Sequence, residues 1–242
     1  MDSTSLAFFI VLALLAEILG TVGGFGSSLF FIPVASLFLD FHSVLGVTAL
    51  FHLSSNLSKI ALFRKGFDKR IALLMGVPAV VAVIIGAWLS RFFDAYWLEI
   101  ALAVFLVGVS LLLLIKKNLE LKPSADNAVV GGAFSGFVAG LIGTGGAIRG
   151  IVLTAFKLDK EIFIATSAII DLGIDLSRSV VYFSNGFVHK HDLYLVPILL
   201  GVSIAGTYLG KILLNRISQE QFRHIVLFLV LGIGLYMLGK AF

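Results

Sequence analysis

The chain alternates long apolar runs with short polar breaks. Most runs hold about 20 residues, enough for an α-helix to cross the roughly 30 Å hydrocarbon core of a bilayer. The runs 5–19 and 27–39 are too short to cross it comfortably alone. The pattern predicts an all-α, polytopic membrane protein with apolar segments at 5–19, 27–39, 43–63, 71–90, 97–115, 127–142, 150–157, 162–183, 192–213 and 222–241.

Composition supports a bilayer environment. Hydrophobic residues make up 59% of the chain and charged residues 13%, with a mean hydropathy of +1.07, whereas soluble domains carry about 25% charged residues. The chain has no cysteine, which excludes disulfides, thiol nucleophiles and cysteine metal sites. The net charge of +4 is spread over short loops and leaves no nucleic-acid footprint. The N-terminus lacks a basic region, so no cleaved signal peptide is expected.

The two halves of the chain repeat each other with an offset of about 120 residues. The matching positions are Gly20 with Gly140, Gly23 with Gly143, Gly26 with Gly146, Ser58-Lys59 with Ser177-Arg178, Gly66-Phe67 with Gly186-Phe187, and Gly86-Ala87-Trp88-Leu89 with Gly206-Thr207-Tyr208-Leu209. We therefore predict a first repeat at 1–115, a linker at 116–126 and a second repeat at 127–242. Paired halves of this kind are common in transporters.

The distribution of Lys and Arg favours one topology. If each glycine-broken pair of segments crosses the membrane once, the charge bias between the two faces is weak. If each pair dips in and returns, one face holds only Arg91, Lys190 and Lys240, and the other holds Arg64, Lys65, Lys69, Arg70, Lys116, Lys117, Lys122, Lys157, Lys160, Lys211, Arg216 and Arg223. The second arrangement predicts two inverted halves, each a glycine-broken helical hairpin plus three transmembrane helices, with both termini outside.

Two glycine clusters are candidate binding elements. Glycine runs break a helix and expose backbone N–H and C=O groups, which inside a membrane need a protein, water or ligand partner. Amides at the start of a broken helix favour anions, whereas close helix packing is the structural alternative. The predicted substrate-binding residues here are Gly23, Gly24, Gly26, Ser27 and Ser28 in the first half and Gly143, Thr144, Gly145 and Gly146 in the second.

Two polar stripes lie at equivalent places in the halves. One consists of His52, Asn56 and Lys59 and the other of Asp171, Asp175 and Arg178, with spacings that put each set on one helix face. Ionisable groups deep in a membrane usually pair or face a wet cavity. We predict that Asn56, Lys59 and Arg178 bind an anion, and that His52, Asp171 and Asp175 balance charge or exchange protons. Asp175 and Arg178 can pair along the helix, whereas Asp171 has no local partner. A buried structural ion pair between the halves is the alternative.

Two further charges lie beside the glycine clusters. Arg149 follows the second cluster and suits an oxyanion, and snorkelling to the interface is its alternative. Glu17 precedes the first cluster, and it is left open whether it pairs with Arg149, pairs with Lys59 or is protonated. His189 and His191 form a loop His-x-His pattern, which more often marks a surface than a metal site.

These motifs resemble the sulfite exporter TauE/SafE family of membrane anion permeases. The resemblance rests on the two glycine clusters, the segments ending in Ser58-Lys59 and Ser177-Arg178, and the Gly86 and Gly206 elements, and covers nearly the whole chain. The sequence departs from the family pattern at two positions. Phe25 interrupts the first glycine cluster, and the second half has Leu153 at the position equivalent to Pro33. The resemblance implies export of sulfite or organosulfonates such as sulfoacetate across a bacterial cytoplasmic membrane, and the family also handles other small organic anions.

The leading prediction is a secondary carrier for a small anion, with no cofactor, no metal and no nucleic-acid partner. An anion channel, a permease for another organic anion, a membrane-embedded enzyme and a structural subunit are the alternatives. No nucleotide-binding motif is present, so coupling must come from protons, the membrane potential or the substrate gradient. Whether the chain forms a homo-oligomer is left open.

Overall fold

The computed structural model describes residues 1–24, 26–116, 121–214, 216 and 219–241. The predicted interruption at Phe25, Lys117 and linker residues 118–120 lie outside the described residues. Every regular element in the described part is helical: α1 (Ser3–Gly23), α2 (Ser28–Ala35), α3 (Phe41–Leu62), α4 (Lys69–Leu89), α5 (Ala95–Ile115), α6 (Ala125–Ile142), α7 (Gly146–Thr154), α8 (Lys160–Ser184), α9 (Leu195–Leu214) and α10 (Gln219–Ala241), with single 3₁₀ turns at Ser90–Phe92 and Lys190–Asp192.

The predicted all-α membrane fold is confirmed. Six described helices are long and apolar enough to cross a membrane, namely α1, α4, α5, α6, α9 and the His224–Ala241 part of α10. The expectation that segment 5–19 is too short was wrong, because α1 continues through the first glycines to Gly23 and reaches 21 residues. The polar stripes make α3 and α8 less apolar, and most of α3 is buried by its neighbours.

Short polar segments start several of the helices. Asp40 accepts hydrogen bonds from the backbone amides of His42 and Ser43 at the start of α3, and Asp68 accepts from that of Ile71 at the start of α4. Ser124 does the same for Asn127 in α6. These side chains satisfy helix-end N–H groups that have no partner within the helix. The polar breaks in the sequence are therefore the N-caps.

Both glycine-broken pairs fold as helical hairpins. α2 packs along α1, and the rings of Phe9 and Phe38 lie 5.4 Å apart, which brings the chain back beside the start of α1. α7 likewise packs along α6, where Val152 lies against Gly131 near the start of α6. Each short helix thus returns toward the end of the molecule from which its partner began, as a re-entrant path requires.

The helix ends form two faces. On one face, Tyr96 donates from its hydroxyl to the carbonyl of Ala241 at 3.1 Å, and the start of α3 contacts the α8–α9 connection. On the second face, Lys65 Nζ lies 3.4 Å from Glu161 Oε1, and Lys211 Nζ donates to the carbonyl of Leu62. The second face contains the basic loop 64–70, as the dipping topology predicts.

The helix packing has a regular pairing pattern. α4 packs on α6 and α8, α1 packs on α9, and α3 packs on α8 and α9, while α5 packs on α10. When α1 to α5 are exchanged with α6 to α10, each pair maps onto a pair in this set, and the α3–α8 and α5–α10 pairs map onto themselves. Two equivalent halves would produce this pattern. The inverted repeat and the boundaries at 115 and 127 stay predictions.

Small residues allow the central helices to touch. Gly132, Gly136 and Gly140 follow each other at four-residue spacing on α6, and a Cβ built on any of them would lie within 2.3 Å of a backbone oxygen of α4. A Cβ on Gly20 would meet the Ser27 backbone in the same way. Gly20 and Gly140 therefore allow close helix packing, which was the alternative to anion binding at the glycine clusters. The glycines that follow them form the helix breaks.

We expect Gly136→Val to abolish the folded protein. Its Cβ would sit 2.1 Å from the Ala79 carbonyl oxygen, so α4 and α6 would have to separate along their whole contact. Gly108→Val is the matched control, because nothing lies within 4 Å of a Cβ at that helical position. Size-exclusion profiles in detergent should show aggregation only for Gly136→Val. Monodisperse Gly136→Val protein would contradict the packing described here.

The outer surface is apolar, as a lipid-facing surface must be. On α4 the exposed side chains form one stripe of Leu73, Val77, Val81, Ile84 and Trp88. Arg91, at the end of this stripe, stacks on the Trp88 and Phe92 rings at 4.8 and 4.7 Å. An aromatic and cationic group of this kind is typical of the membrane–water interface.

Candidate functional site

The two glycine breaks meet in the centre of the molecule. Gly24 follows the end of α1 and Gly143 follows the end of α6, both with left-handed backbone, φ 68° and 86°. The Ser28 and Thr144 hydroxyl oxygens, one from each break, lie 3.0 Å apart. The two predicted clusters, 116 residues apart in sequence, therefore form one continuous polar element.

A buried carboxylate lies under the first break. Glu17 is fully buried and accepts hydrogen bonds from the Ser27 hydroxyl at 2.6 Å and the Ser55 hydroxyl at 2.5 Å. The hydroxyls of Thr21 and Thr207 lie 3.2 and 3.0 Å from its Oε1. Four hydroxyl groups from α1, α3, α9 and the first break therefore surround this one carboxylate.

Lys59 is the ionic partner of Glu17. Its Nζ lies 2.9 Å from Glu17 Oε1 and donates to Ser55 Oγ at 2.6 Å. Of the three options left open for Glu17, the structure selects the pair with Lys59. This partner comes from α1, so it cannot be read from the α3 sequence.

A second ion pair holds the second break. Asp175 and Arg178 pair as predicted, with 2.7 Å from Arg178 Nε and 2.6 Å from Nη2 to Asp175 Oδ1. Arg178 also donates to the Gly143 carbonyl at 2.5 Å, and so fixes the position of the break. Asn56 donates to the second oxygen of Asp175 at 2.6 Å, which joins the two stripes.

His52 connects the two groups. Its Nε2 lies 3.1 Å from Ser27 Oγ and its Nδ1 lies 3.3 Å from Arg178 Nη2. Since the Ser27 proton goes to Glu17, the hydrogen-bond network assigns a proton to His52 Nε2 and leaves Nδ1 to accept from Arg178. His52 is therefore neutral in this arrangement.

Arg149 forms the third pair and has an unused donor. Its Nη1 contacts Asp171, and its Nε donates to Ser167 at 2.9 Å. Arg149 is only 1% exposed, so the snorkelling alternative was wrong. Its remaining nitrogen, Nη2, is buried without a hydrogen-bond partner among the described residues, and it lies 3.6 Å from where a Cβ on Gly26 would be. The expectation that Asp171 has no evident local partner holds within α8, since Arg149 lies on α7.

A small cavity occupies the junction between the breaks. Its free space is about 20 Å³, little more than one water molecule requires. Its walls contain most of the predicted site residues, namely Gly26, Ser27, Ser28, His52, Asn56, Lys59, Gly143, Gly145, Gly146, Asp171, Asp175 and Arg178. A second cavity adjoins it, shares Gly26, Asn56, Lys59 and Asp171, and reaches Gly24. Four predicted site residues line neither cavity, namely Glu17, Gly23, Thr144 and Arg149.

The site contains donors that sequence reasoning missed. Ser55 lies on the same face of α3 as the His52 stripe, and that spacing is a signal that was available. Thr21, Ser167 and Thr207 contact Glu17 or Arg149 from three different helices. Thr21 lies four residues after Glu17 on α1, so helical spacing could have found it. No local pattern marks Ser167 and Thr207, because their contacts depend on how helices pack against each other.

Comparisons with known proteins agree with this architecture. The family model described as sulfite exporter TauE/SafE matches residues 9–237. A probable membrane transporter protein of Methanocaldococcus jannaschii is 25% identical, over 96% of this chain and 95% of the relative. A probable membrane transporter protein of Bacillus subtilis is 26% identical, over 87% of this chain and 90% of the relative.

Both relatives are named as probable membrane transporters rather than enzymes, and the described part of this chain contains six helices that could cross a membrane. The family match spans nearly the whole chain, including both glycine breaks and all three buried ion pairs. The protein is therefore a membrane transporter that belongs to the sulfite exporter TauE/SafE family.

Proposed function

We propose that this protein is a secondary carrier that exports small sulfur-containing anions, such as sulfite or organosulfonates, through the junction of the two glycine breaks. The observation that carries the proposal is the guanidinium nitrogen Nη2 of Arg149, which has no hydrogen-bond partner in the part of the chain that the structure describes. A buried charged donor without a partner is costly, and an oxyanion entering the cavity beside Gly26 would satisfy it. Membership of the sulfite exporter TauE/SafE family supports a sulfur oxyanion as that ligand.

The surrounding groups suit an oxyanion. Ser28 and Thr144 bring hydroxyls from both breaks to one point. α7 begins at Gly146, and the N–H groups of its first turn have no partner within the helix. A sulfite or sulfonate group offers several acceptor oxygens to these donors and to the Arg149 fork.

The small size of the cavity supports a carrier over a channel. A pore requires a continuous wet path, whereas the space at the junction holds little more than one water molecule. A sulfite or sulfonate ion is larger than this space, so the substrate must enter from a conformation in which the breaks move apart. Movement of the two halves about this junction would open it to each face in turn.

The net charge of the site bears on whether a proton moves together with the anion. Three buried cations, Lys59, Arg149 and Arg178, face three buried carboxylates, Glu17, Asp171 and Asp175. With His52 neutral, an added anion would leave the site with net negative charge unless a proton accompanies it. Asp171 is the most exposed of these carboxylates, with 18% of its side chain accessible, and Arg149 is its ionic partner. We infer that Asp171 takes up this proton.

Flux into proteoliposomes tests the proposal, with labelled sulfite and sulfoacetate and with the pH gradient and the membrane potential imposed separately. We expect saturable flux, counterflow by unlabelled substrate, and a stronger response to the pH gradient than to the potential. Asp171→Asn should transport with little dependence on the pH gradient. Linear, unsaturable flux would favour a channel, and no flux of either anion from folded protein would contradict the proposed substrate class.

A further inference from the structure

A second polar cluster lies at the end of the molecule, outside the proposed substrate site. It is formed by His189, His191 and Asp192 in the connection between α8 and α9. One ring nitrogen of each histidine and one carboxylate oxygen lie within 4.8 Å of each other. The single 3₁₀ turn Lys190–Asp192 creates this arrangement, and the two imidazole rings are stacked with their centroids 5.2 Å apart.

Asp192 gives this cluster its significance. The residue is 3% exposed, and its Oδ2 has no hydrogen-bond partner among the described residues. The nearest charged neighbours are the histidines, with His189 Nδ1 at 3.7 Å from Oδ2 and His191 Nε2 at 3.5 Å from Oδ1. A buried carboxylate oxygen without a donor is unfavourable, and a cation between the three side chains would remove that cost.

Supporting contacts orient His189. Its Nδ1 lies 2.7 Å from Ser43 Oγ, and Ser43 donates to Asp40 Oδ2 at 2.5 Å. Ser43 therefore fixes the orientation of the His189 ring beside Asp192. Polar groups outside the ligand set commonly orient metal-binding histidines in this way.

We propose that His189, His191 and Asp192 bind a divalent transition metal of the Zn²⁺ type. Two imidazoles and one carboxylate form a ligand set that zinc accepts, with water in the fourth position. Ca²⁺ and Mg²⁺ prefer sites made of oxygen ligands, so two nitrogens among three ligands disfavour them. The site is independent of the proposed substrate, because no residue of the central cavity takes part.

Metal binding would strengthen the contact between two parts of the fold. The α8–α9 connection already packs on α3, where a Cβ on Gly46 would lie 2.7 Å from the Phe187 carbonyl oxygen. The Ser43 contact joins the proposed ligand His189 to the start of α3. Zn²⁺ should therefore raise the unfolding temperature in proportion to its occupancy of the native protein.

Isothermal titration of purified protein with Zn²⁺ tests the proposal, with a histidine-free affinity tag and metal-free buffer. We expect saturable binding of one Zn²⁺ per chain, unaffected by excess Mg²⁺, and a visible d–d absorption band when Co²⁺ replaces Zn²⁺. His191→Ala should weaken binding by at least about tenfold, and Ser43→Ala by about tenfold through the loss of orientation. Lys190→Ala, within the same turn, should bind like the wild type.

His191 is 77% exposed at its side chain, so its replacement should leave the fold intact. Absence of saturable Zn²⁺ binding by folded wild-type protein would overturn the proposal. Equal Zn²⁺ affinity in the wild type and His191→Ala would also overturn it, because the metal would then bind elsewhere. A rise in unfolding temperature with Zn²⁺ that persists in His191→Ala would lead to the same conclusion.

Discussion

Arg149→Lys should raise the KM for the transported anion about 10- to 100-fold while the protein remains folded. Lysine keeps the positive charge that balances Asp171, but it has no second terminal nitrogen to reach toward Gly26. The loss corresponds to one hydrogen bond between charged groups, about 1.5–3 kcal/mol. Initial rates of sulfoacetate flux into proteoliposomes would measure the effect.

Two variants separate binding from folding in this experiment. Arg91→Lys alters an arginine that stacks on aromatic rings at the membrane surface, and it should transport like the wild type. The double variant Arg149→Gln with Asp171→Asn removes both charges, so it should fold without a buried unpaired charge and still fail to transport. Wild-type KM in Arg149→Lys would show that Nη2 does not bind the substrate.

Glu17→Gln should cause the largest loss of stability among single changes to the site. The substitution leaves Lys59 buried without its counter-charge, and breaking a buried pair in this way costs about 3–5 kcal/mol. It also gives the surrounding hydroxyls an amide in place of a carboxylate. Thermal unfolding in detergent, followed by intrinsic fluorescence, should show a large drop in the midpoint.

Two further variants are compared with Glu17→Gln, one at the buried ion pair and one at a surface ion pair. Glu17→Gln combined with Lys59→Met removes both buried charges and should recover most of the lost stability, but not transport. Glu161→Gln breaks the exposed pair with Lys65 and should leave the midpoint almost unchanged, because surface pairs contribute little. A midpoint for Glu17→Gln equal to that of Glu161→Gln would contradict the buried pair.

Helix positions were predictable because they depend on local patterns. The apolar runs locate the long helices, and the polar N-caps such as Asp40 and Asp68 coincide with the breaks between them. The first glycine cluster was placed correctly, but its glycines have two different roles, which was not predicted. Gly20 packs against Ser27 within the hairpin, and the left-handed turn falls at Gly24.

The ion pairs show the limit of local reasoning. The Asp175–Arg178 pair lies within one helix, so its spacing alone predicted it. Lys59 and Arg149 each pair with a carboxylate on a different helix, and the direction in which neighbouring helices face each other is set by tertiary packing. The nitrogen of Arg149 that lacks a partner among the described residues is likewise visible only once the helices are assembled. The His189 and His191 pattern was visible in the sequence, but the burial of Asp192 beside it was not.

Substrate protection of an introduced cysteine would test the central claim most directly. The chain has no native cysteine, so Thr144→Cys places a single thiol where the two breaks meet, and Ser184→Cys provides an exposed control. Sulfoacetate suits this assay because, unlike sulfite, it does not consume thiol reagents. We predict that sulfoacetate slows labelling at position 144 but not at 184, and that the protection disappears when Arg149→Lys is added. Labelling of position 144 at the same rate with and without saturating sulfoacetate would contradict an anion site at this junction.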